Sequence, residues 1–512
     1  MSIEEKTEET AETMSGRRRW LILVAIGSFN FMATLVASIV NIALPTLSRE
    51  LRVPMDHVTW IVLIYLIAVS GLLIFFGRLG DLIGKIRVFR AGTVIFTLGS
   101  LLAGFDFGFW FLIFARFVQA WGAAMTMSNS FGIITSVFPP RNRTRAMAAI
   151  GIFVSLGAVT GPGLGGLILQ FLPWGYIFWI NVPAGLFAIV MGAKLFPKSK
   201  PLAGIQLRNL RHDLDWTGAA LFFCAISFLF LGVEIGQNKG FIHSAVIGFV
   251  VGAIMLGISF IVVEFRLCGK LDAGQKSVPP LIDLHIFRNR LFSISLIAGL
   301  FMFTTNFFAN IIMPFYLQNL RGWTPGHAGL VMMAFPITMI IVGPIAGWMG
   351  DYANKEIITA VGITLVAISQ FAYTLLDERT SIFALVAVTV LNAGGTAIFQ
   401  SPNNALVMST VEKRYLGVAG SINALARNLG MVTGISLATV ALFTTMSARL
   451  GQRVIHYVED RPDAFLSGMH TSFYISFGLS LVTLCVVGLR LFFQCYSRSY
   501  SKDSSRRIFS DY

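Results

Sequence analysis

Runs of about 20 apolar residues, each long enough to cross a bilayer as a helix, recur from Trp20 almost to the end of this 512-residue chain. About fourteen can be read: 20–44, 58–76, 88–105, 109–137, 146–172, 175–196, 215–235, 242–265, 291–317, 327–350, 356–376, 381–409, 418–446 and 470–494. A backbone in hydrocarbon must satisfy its own N–H and C=O groups, which a helix does within one segment. Charged residues make up 12% of the chain, about half the share usual in a soluble protein. The expectation is therefore an all-α polytopic membrane protein embedded in a lipid bilayer.

The net charge of +14 would suit a nucleic-acid partner, but its placement argues against one. If the N-terminus is cytoplasmic and the spans alternate, most of the 39 Lys and Arg residues fall on the inner side. Among them are Arg17, Arg18 and Arg19, then Arg78, Lys85, Arg87 and Arg90, then Arg141, Arg143 and Arg145, and Arg490 near the end. The outer side keeps scattered cations such as Arg49, Arg321 and Arg449, while Arg116 and Arg427 stay within spans. This is the positive-inside pattern. It implies a multi-pass protein of the cell (inner or plasma) membrane with both termini cytoplasmic. The first run has no small-residue cleavage site after it and reads as an uncleaved helix. The four cysteines form no CxxC pair or disulfide framework, and their spacing suggests no metal or cofactor.

Comparing the chain with itself at an offset of about 270 residues reveals a repeat of the parallel kind found in transporters. Asn41-Ile42-Ala43-Leu44-Pro45 returns as Asn310-Ile311-Ile312-Met313-Pro314. Gly77-Arg78-Leu79-Gly80-Asp81 with Lys85 returns as Gly347-Trp348-Met349-Gly350-Asp351 with Lys355. Leu156-Gly157-Ala158-Val159-Thr160-Gly161 returns as Leu429-Gly430-Met431-Val432-Thr433-Gly434. Span 1 thus pairs with 9, 2 with 10 and 5 with 13, leaving 7 and 8 as an insertion. The expected organisation is a tail over 1–19, a six-helix bundle over 20–196 and a linker with two inserted helices over 197–290. A second six-helix bundle follows over 291–494, and a tail over 495–512.

Three strings carry the function. Gly157, Gly161 and Gly165 recur every fourth residue in Gly157-Ala158-Val159-Thr160-Gly161-Pro162-Gly163-Leu164-Gly165-Gly166, a smooth stripe that admits a neighbouring helix backbone. Pro162 has no N–H and crowds the preceding turn, so the helix should bend there. Close packing alone would explain the stripe; a pivot between moving parts would too. Gly77 to Arg90 reads GRLGDLIGKIRVFR, with Asp81, Gly84, Lys85 and Arg87 in a tight loop. Arg116 and Gln119 lie in the fourth span and Arg427 in the thirteenth. A charge inside a span costs several kcal/mol, so it either marks a pathway or snorkels to the interface.

These strings, with Trp174 to Gly185 (WGYIFWINVPAG) and Ala426-Arg427-Asn428-Leu429-Gly430, resemble the fourteen-helix drug/H⁺ antiporter branch of the major facilitator superfamily. The resemblance covers about residues 20–440 and implies two pseudo-symmetric six-helix bundles plus two inserted central helices. It further implies alternating access, export of amphipathic small molecules or drugs, and a proton gradient as the energy source with no cofactor. Gly77, Asp81, Gly84, Lys85, Arg87 and Asp351 would gate and latch, with Asp81 and Arg87 holding one state. Gly157, Gly161, Pro162, Gly165 and Gly166 would shape the interface between halves. Arg116, Gln119, Arg427 and Asn41 would line the proton or substrate path. A periplasmic adaptor would be a further partner if the source has an outer membrane.

One departure bears on mechanism. Where the branch carries an Asp in the first span, this chain has Val36, and no other Asp or Glu lies near a midplane. Glu234 and Glu264 sit at span ends and read as solvated interfacial groups. Lipophilic cations are then not the expected substrates, and a facilitator or symporter remains an alternative, as does a non-transporting membrane partner or sensor. No HExxH string, paired intramembrane Asp or nucleophile motif suggests an enzyme.

Overall fold

The computed structural model describes residues 15–509 except 54, 59, 140–141, 197–213, 241–242, 274–277, 324, 413–414, 453 and 455–460. The side chains of some helical residues, Asn41 and Pro162 among them, also lie outside the described residues. Among the described residues fourteen long helices follow one another. The first bundle holds α1 (Gly16–Glu50), α2 (Trp60–Ile83), α3 (Lys85–Ala103), α4 (Phe109–Val137), α5 (Arg143–Phe171) and α6 (Tyr176–Leu195, broken at Ile180). The inserted pair is α7 (Trp216–Lys239) and α8 (Ser244–Asp272). The second bundle holds α9 (Arg290–Phe315), α10 (Ala334–Tyr352), α11 (Lys355–Tyr373), α12 (Ile382–Ser409), α13 (Leu416–Leu450) and α14 (Pro462–Phe509).

Polar residues just ahead of the apolar runs explain where several helices begin. Ser15, Asp215, Asn289, Asn354 and Ser381 each accept a hydrogen bond from an amide of the first turn they precede. Gly84, at φ 106°, adopts a backbone angle that L side chains rarely reach, which turns α2 into α3 within one residue. Thirteen helices are long and apolar enough to cross a membrane among the described residues, and α5, 29 residues long, lies between α4 and α6. The last helix runs on to Phe509.

Within the first half α1 packs along α5, α3 along α4 and α2 on α4. The second half repeats this with α9 along α13, α11 along α12 and α10 on α12. The inserted helices pack on each other, and α7 rests against α2. α8 is the most apolar span among the described residues, with mean hydropathy 2.8, yet only 17% of its most apolar stretch is buried. An apolar helix left this bare belongs against lipid. The halves meet where α10 and α12 pack on α5 and where α13 packs on α2 and α4.

Candidate functional site: a reciprocal latch and two buried arginines

Asp81 is the third residue from the end of α2. One carboxylate oxygen lies 2.6 Å from Lys85 Nζ, while the other accepts the backbone N–H of Val418 at 3.0 Å. Val418 is the third residue of α13, where amides have no partner within the helix and the dipole favours a negative charge. The contact therefore joins the end of a helix in one half to the start of a helix in the other. The repeat supplies its counterpart. Asp351, next to the last residue of α10, has Oδ2 3.3 Å from Nε of Arg145, the third residue of α5. The Arg145 guanidinium also lies 5.5 Å from the Tyr352 ring centre. Each half thus reaches across to the first turn of a helix in the other, once through an amide and once through a side chain.

The loop geometry behind this depends on close approach. Gly77 and Gly80 are buried on α2, and a Cβ at Gly80 would overlap the Asn129 side chain on α4. Farther along the seam Asn428 on α13 donates to Ser70 on α2 at 3.4 Å, and Gly343 on α10 meets Ile152 on α5.

Arg116 is fully buried inside the first bundle. Its Nε donates to the Ile61 carbonyl at 3.0 Å and Nη1 to Gln119 Oε1 at 2.6 Å. The guanidinium lies 4.3 Å from the Tyr65 ring centre and 5.7 Å from that of Phe178. Gln119 in turn donates to Ser100 at 2.7 Å, and Tyr65 to the Ala33 carbonyl at 2.8 Å. Sequence placed Arg116 and Gln119 on a path; the structure joins them as a sealed network linking α1, α2, α3, α4 and α6. Among the described residues no carboxylate pairs with Arg116, and its Nη2 has no hydrogen-bond partner. Arg427 is 5% exposed on α13 and makes no hydrogen bond or ion pair among the described residues. Next to it in sequence, Asn428 faces the seam; one turn back, Asn423 donates to Asn404 on α12 at 3.1 Å. Asn41 lies outside the described residues as to its side chain.

The Major Facilitator Superfamily profile matches residues 26–435 and, again over the second half, 295–507. The chain belongs to the Major Facilitator Superfamily. It is similar to the riboflavin transporter RibZ of Clostridioides difficile (strain 630), at 30% identity over 93% of this chain and 97% of that protein. It is also similar to the multidrug resistance protein Stp of Mycobacterium tuberculosis, at 27% identity over 87% and 80% of the two chains. The methyl viologen resistance protein SmvA of Salmonella typhimurium is 28% identical, over 85% and 84%. Among solved structures, the human organic anion transporter MFSD10 (TETRAN) shares the fold with a TM-score of 0.61 at 14% identity, covering 93% of this chain and 100% of that one. The protein is a multi-pass membrane transporter and not an enzyme.

Three expectations for this facilitator chain need correction. The glycine stripe does not form the interface between halves. A Cβ at Gly157 would overlap the Phe31 carbonyl and Thr34 hydroxyl, and one at Gly161 the Ser38 hydroxyl, all on α1 of the same half. Ser38 also donates to the Gly157 carbonyl at 3.1 Å. Gly165 is buried, while Gly166 is exposed and meets nothing. The face α5 turns to the other half lies earlier on the helix, at Gly151 and Ile152 against Gln400 and Gly343.

Arg490, assigned to the inner-side cations, is fully buried on α14. It donates to Asn403 at 2.8 Å and Ser295 at 3.1 Å, with the Glu356 carboxylate the nearby charge acting on it. Its place inside Val487-Gly488-Leu489-Arg490-Leu491 was the available signal.

Glu264 is not solvated. It is fully buried and accepts the Leu281 and Ile282 amides at 3.3 and 3.2 Å, fastening the segment before α9 onto α8. Nearby, burial pushes the Asp283 carboxyl up, but the Tyr415 hydroxyl and His285 outweigh it and hold the group below the usual carboxylate range.

Proposed function

We propose that the protein is a proton-coupled exporter of amphipathic small molecules, working by alternating access. The observation that carries this reading is the reciprocal latch, Asp81 on Val418 and Asp351 with Arg145. Both contacts lie at one end of the bundle, and each exists only in one relative position of the halves. An element that forms and breaks in this way is what switching access requires. The positive-inside charge pattern supports a cytoplasmic latch end, with both termini cytoplasmic, in the cell membrane. No cofactor takes part in this reading; the gradient supplies the energy, and a periplasmic adaptor joins if the source has an outer membrane.

The substrate class we infer is neutral, zwitterionic or anionic. A desolvated cation needs a counter-charge, and Val36, fully buried, stands where the antiporter pattern this chain resembles has an Asp. Arg427 offers the opposite sign. The names of the riboflavin and organic anion transporters fit this preference, whereas methyl viologen is a dication. Val36 also favours a second reading, a facilitator or symporter that kept the scaffold without antiport. The test is a substrate panel in proteoliposomes with and without an imposed pH gradient. Gradient-dependent efflux supports the first reading, gradient-independent flux the second, and no flux of any compound sinks both.

A further inference from the structure

We propose that Cys268, Asp283 and His285 form a binding site for a borderline-soft divalent cation of the zinc type, tying α8 to the segment that leads into α9. One donor atom from each residue lies within 4.8 Å of the other two. Thiolate, carboxylate and imidazole are the donors zinc takes, and a set containing sulfur and nitrogen discriminates against magnesium and calcium. Asp283 Oδ1 and His285 Nδ1 are 2.8 Å apart. Two such donors on one tetrahedral zinc sit about 3.3 Å apart, given bonds of about 2.0–2.1 Å. His285 is exposed, so its ring can retreat by the half ångström required.

The surroundings fit a metal as well as the donors do. The Tyr415 hydroxyl donates to Asp283 Oδ2 at 2.7 Å and the His285 amide to Oδ1 at 3.0 Å, which orients the carboxylate. Partners of this kind steer metal ligands and raise affinity. Cys268 is buried and outside any disulfide. A cavity of about 390 Å³ opens beside the three donors, leaving room for water as the fourth ligand. Arg78 is on its wall. The thiolate and carboxylate together carry two negative charges, so a bound divalent ion presents Arg78 with a neutral complex.

The location supplies a consequence. Tyr415 lies three residues before Val418, and Arg78 three before Asp81, so the site adjoins the latch between halves. An ion held there fixes the segment that the Glu264 carboxylate already fastens, and favours the latched state.

The test uses the full-length protein in detergent, with Cys224, Cys485 and Cys495 replaced by serine so that Cys268 is the sole thiol. Cadmium titration should give a saturable thiolate-to-metal charge-transfer band, displaced by zinc and not by magnesium or calcium. Cys268→Ser should abolish it, and Tyr415→Phe should weaken affinity about tenfold to a hundredfold. His285→Ala changes an exposed residue and should lose still more affinity while the protein elutes and melts as before. No band, or a band of equal affinity in His285→Ala and Asp283→Asn, would overturn the proposal, since a lone thiol would then account for the signal.

Discussion

The Asp81 carboxylate holds the Val418 backbone N–H at 3.0 Å across 337 residues of sequence, and so joins the end of α2 in one half to the start of α13 in the other. The acceptor is a side chain and the donor is main chain, so only one partner can be altered. An acid at a helix N-terminus contributes about 0.3–1 kcal/mol when exposed and up to about 2 when partly buried. Asp81→Asn keeps the shape and removes the charge, and should slow transport severalfold. Spin labels flanking Arg78 and Tyr415 should report a larger open population at that end. Unchanged distances and unchanged transport would disprove the latch.

The second contact can be dissected from both sides. Arg145→Gln and Asp351→Asn should each weaken the same closed state, and the double variant should cost little more than either alone. Residues in one ion pair show coupling of about 0.5–3 kcal/mol. The readout is the open-to-closed ratio from paired labels. Strict additivity would mean the 3.3 Å contact carries no energy.

Arg116 offers a sharper contrast. Its fork serves the Ile61 carbonyl and Gln119 together while its face lies over Tyr65. Lysine keeps the charge but not the planar fork. Arg116→Lys should therefore lose most transport and lower the melting temperature, much as Arg116→Gln should. A lysine variant with wild-type transport would show that charge alone suffices.

For the glycine stripe the structure changes the expectation from a pivot to a packing joint. Gly161→Leu would collide with Ser38 on α1, so stability should fall together with activity. Gly166→Ala, facing open space, should leave both unaltered. Thermal melts of the purified variants decide the matter; a stable, inactive Gly161→Leu protein would restore the pivot.

Charge selectivity can be read from two dyes. Wild type should export an anionic or uncharged amphiphile in preference to a quaternary ammonium compound, and Arg427→Gln should narrow that preference. Cation–π contacts of about 0.5–2 kcal/mol each would have to converge to reverse it. Robust export of the ammonium dye by wild type, unaffected by Arg427→Gln, would refute the inferred class.

What sequence alone determined is what hydrocarbon imposes locally. Span length, span order and the Asp81–Asp351 echo follow from hydropathy and repetition, because each helix satisfies its own backbone and each loop declares itself by charge. Which way each helix turns was decided only by the tertiary structure. In lipid both faces of a span are apolar, so the pattern of apolar residues does not tell the packed face from the bare one. That is why Gly157 and Gly161 could be found but not assigned to α1, and why Arg490 and Glu264 were placed among solvated groups. It is also why Cys268, fifteen positions before Asp283 with no metal spacing between them, became one cluster with His285 only once α8 and its following segment had folded against each other.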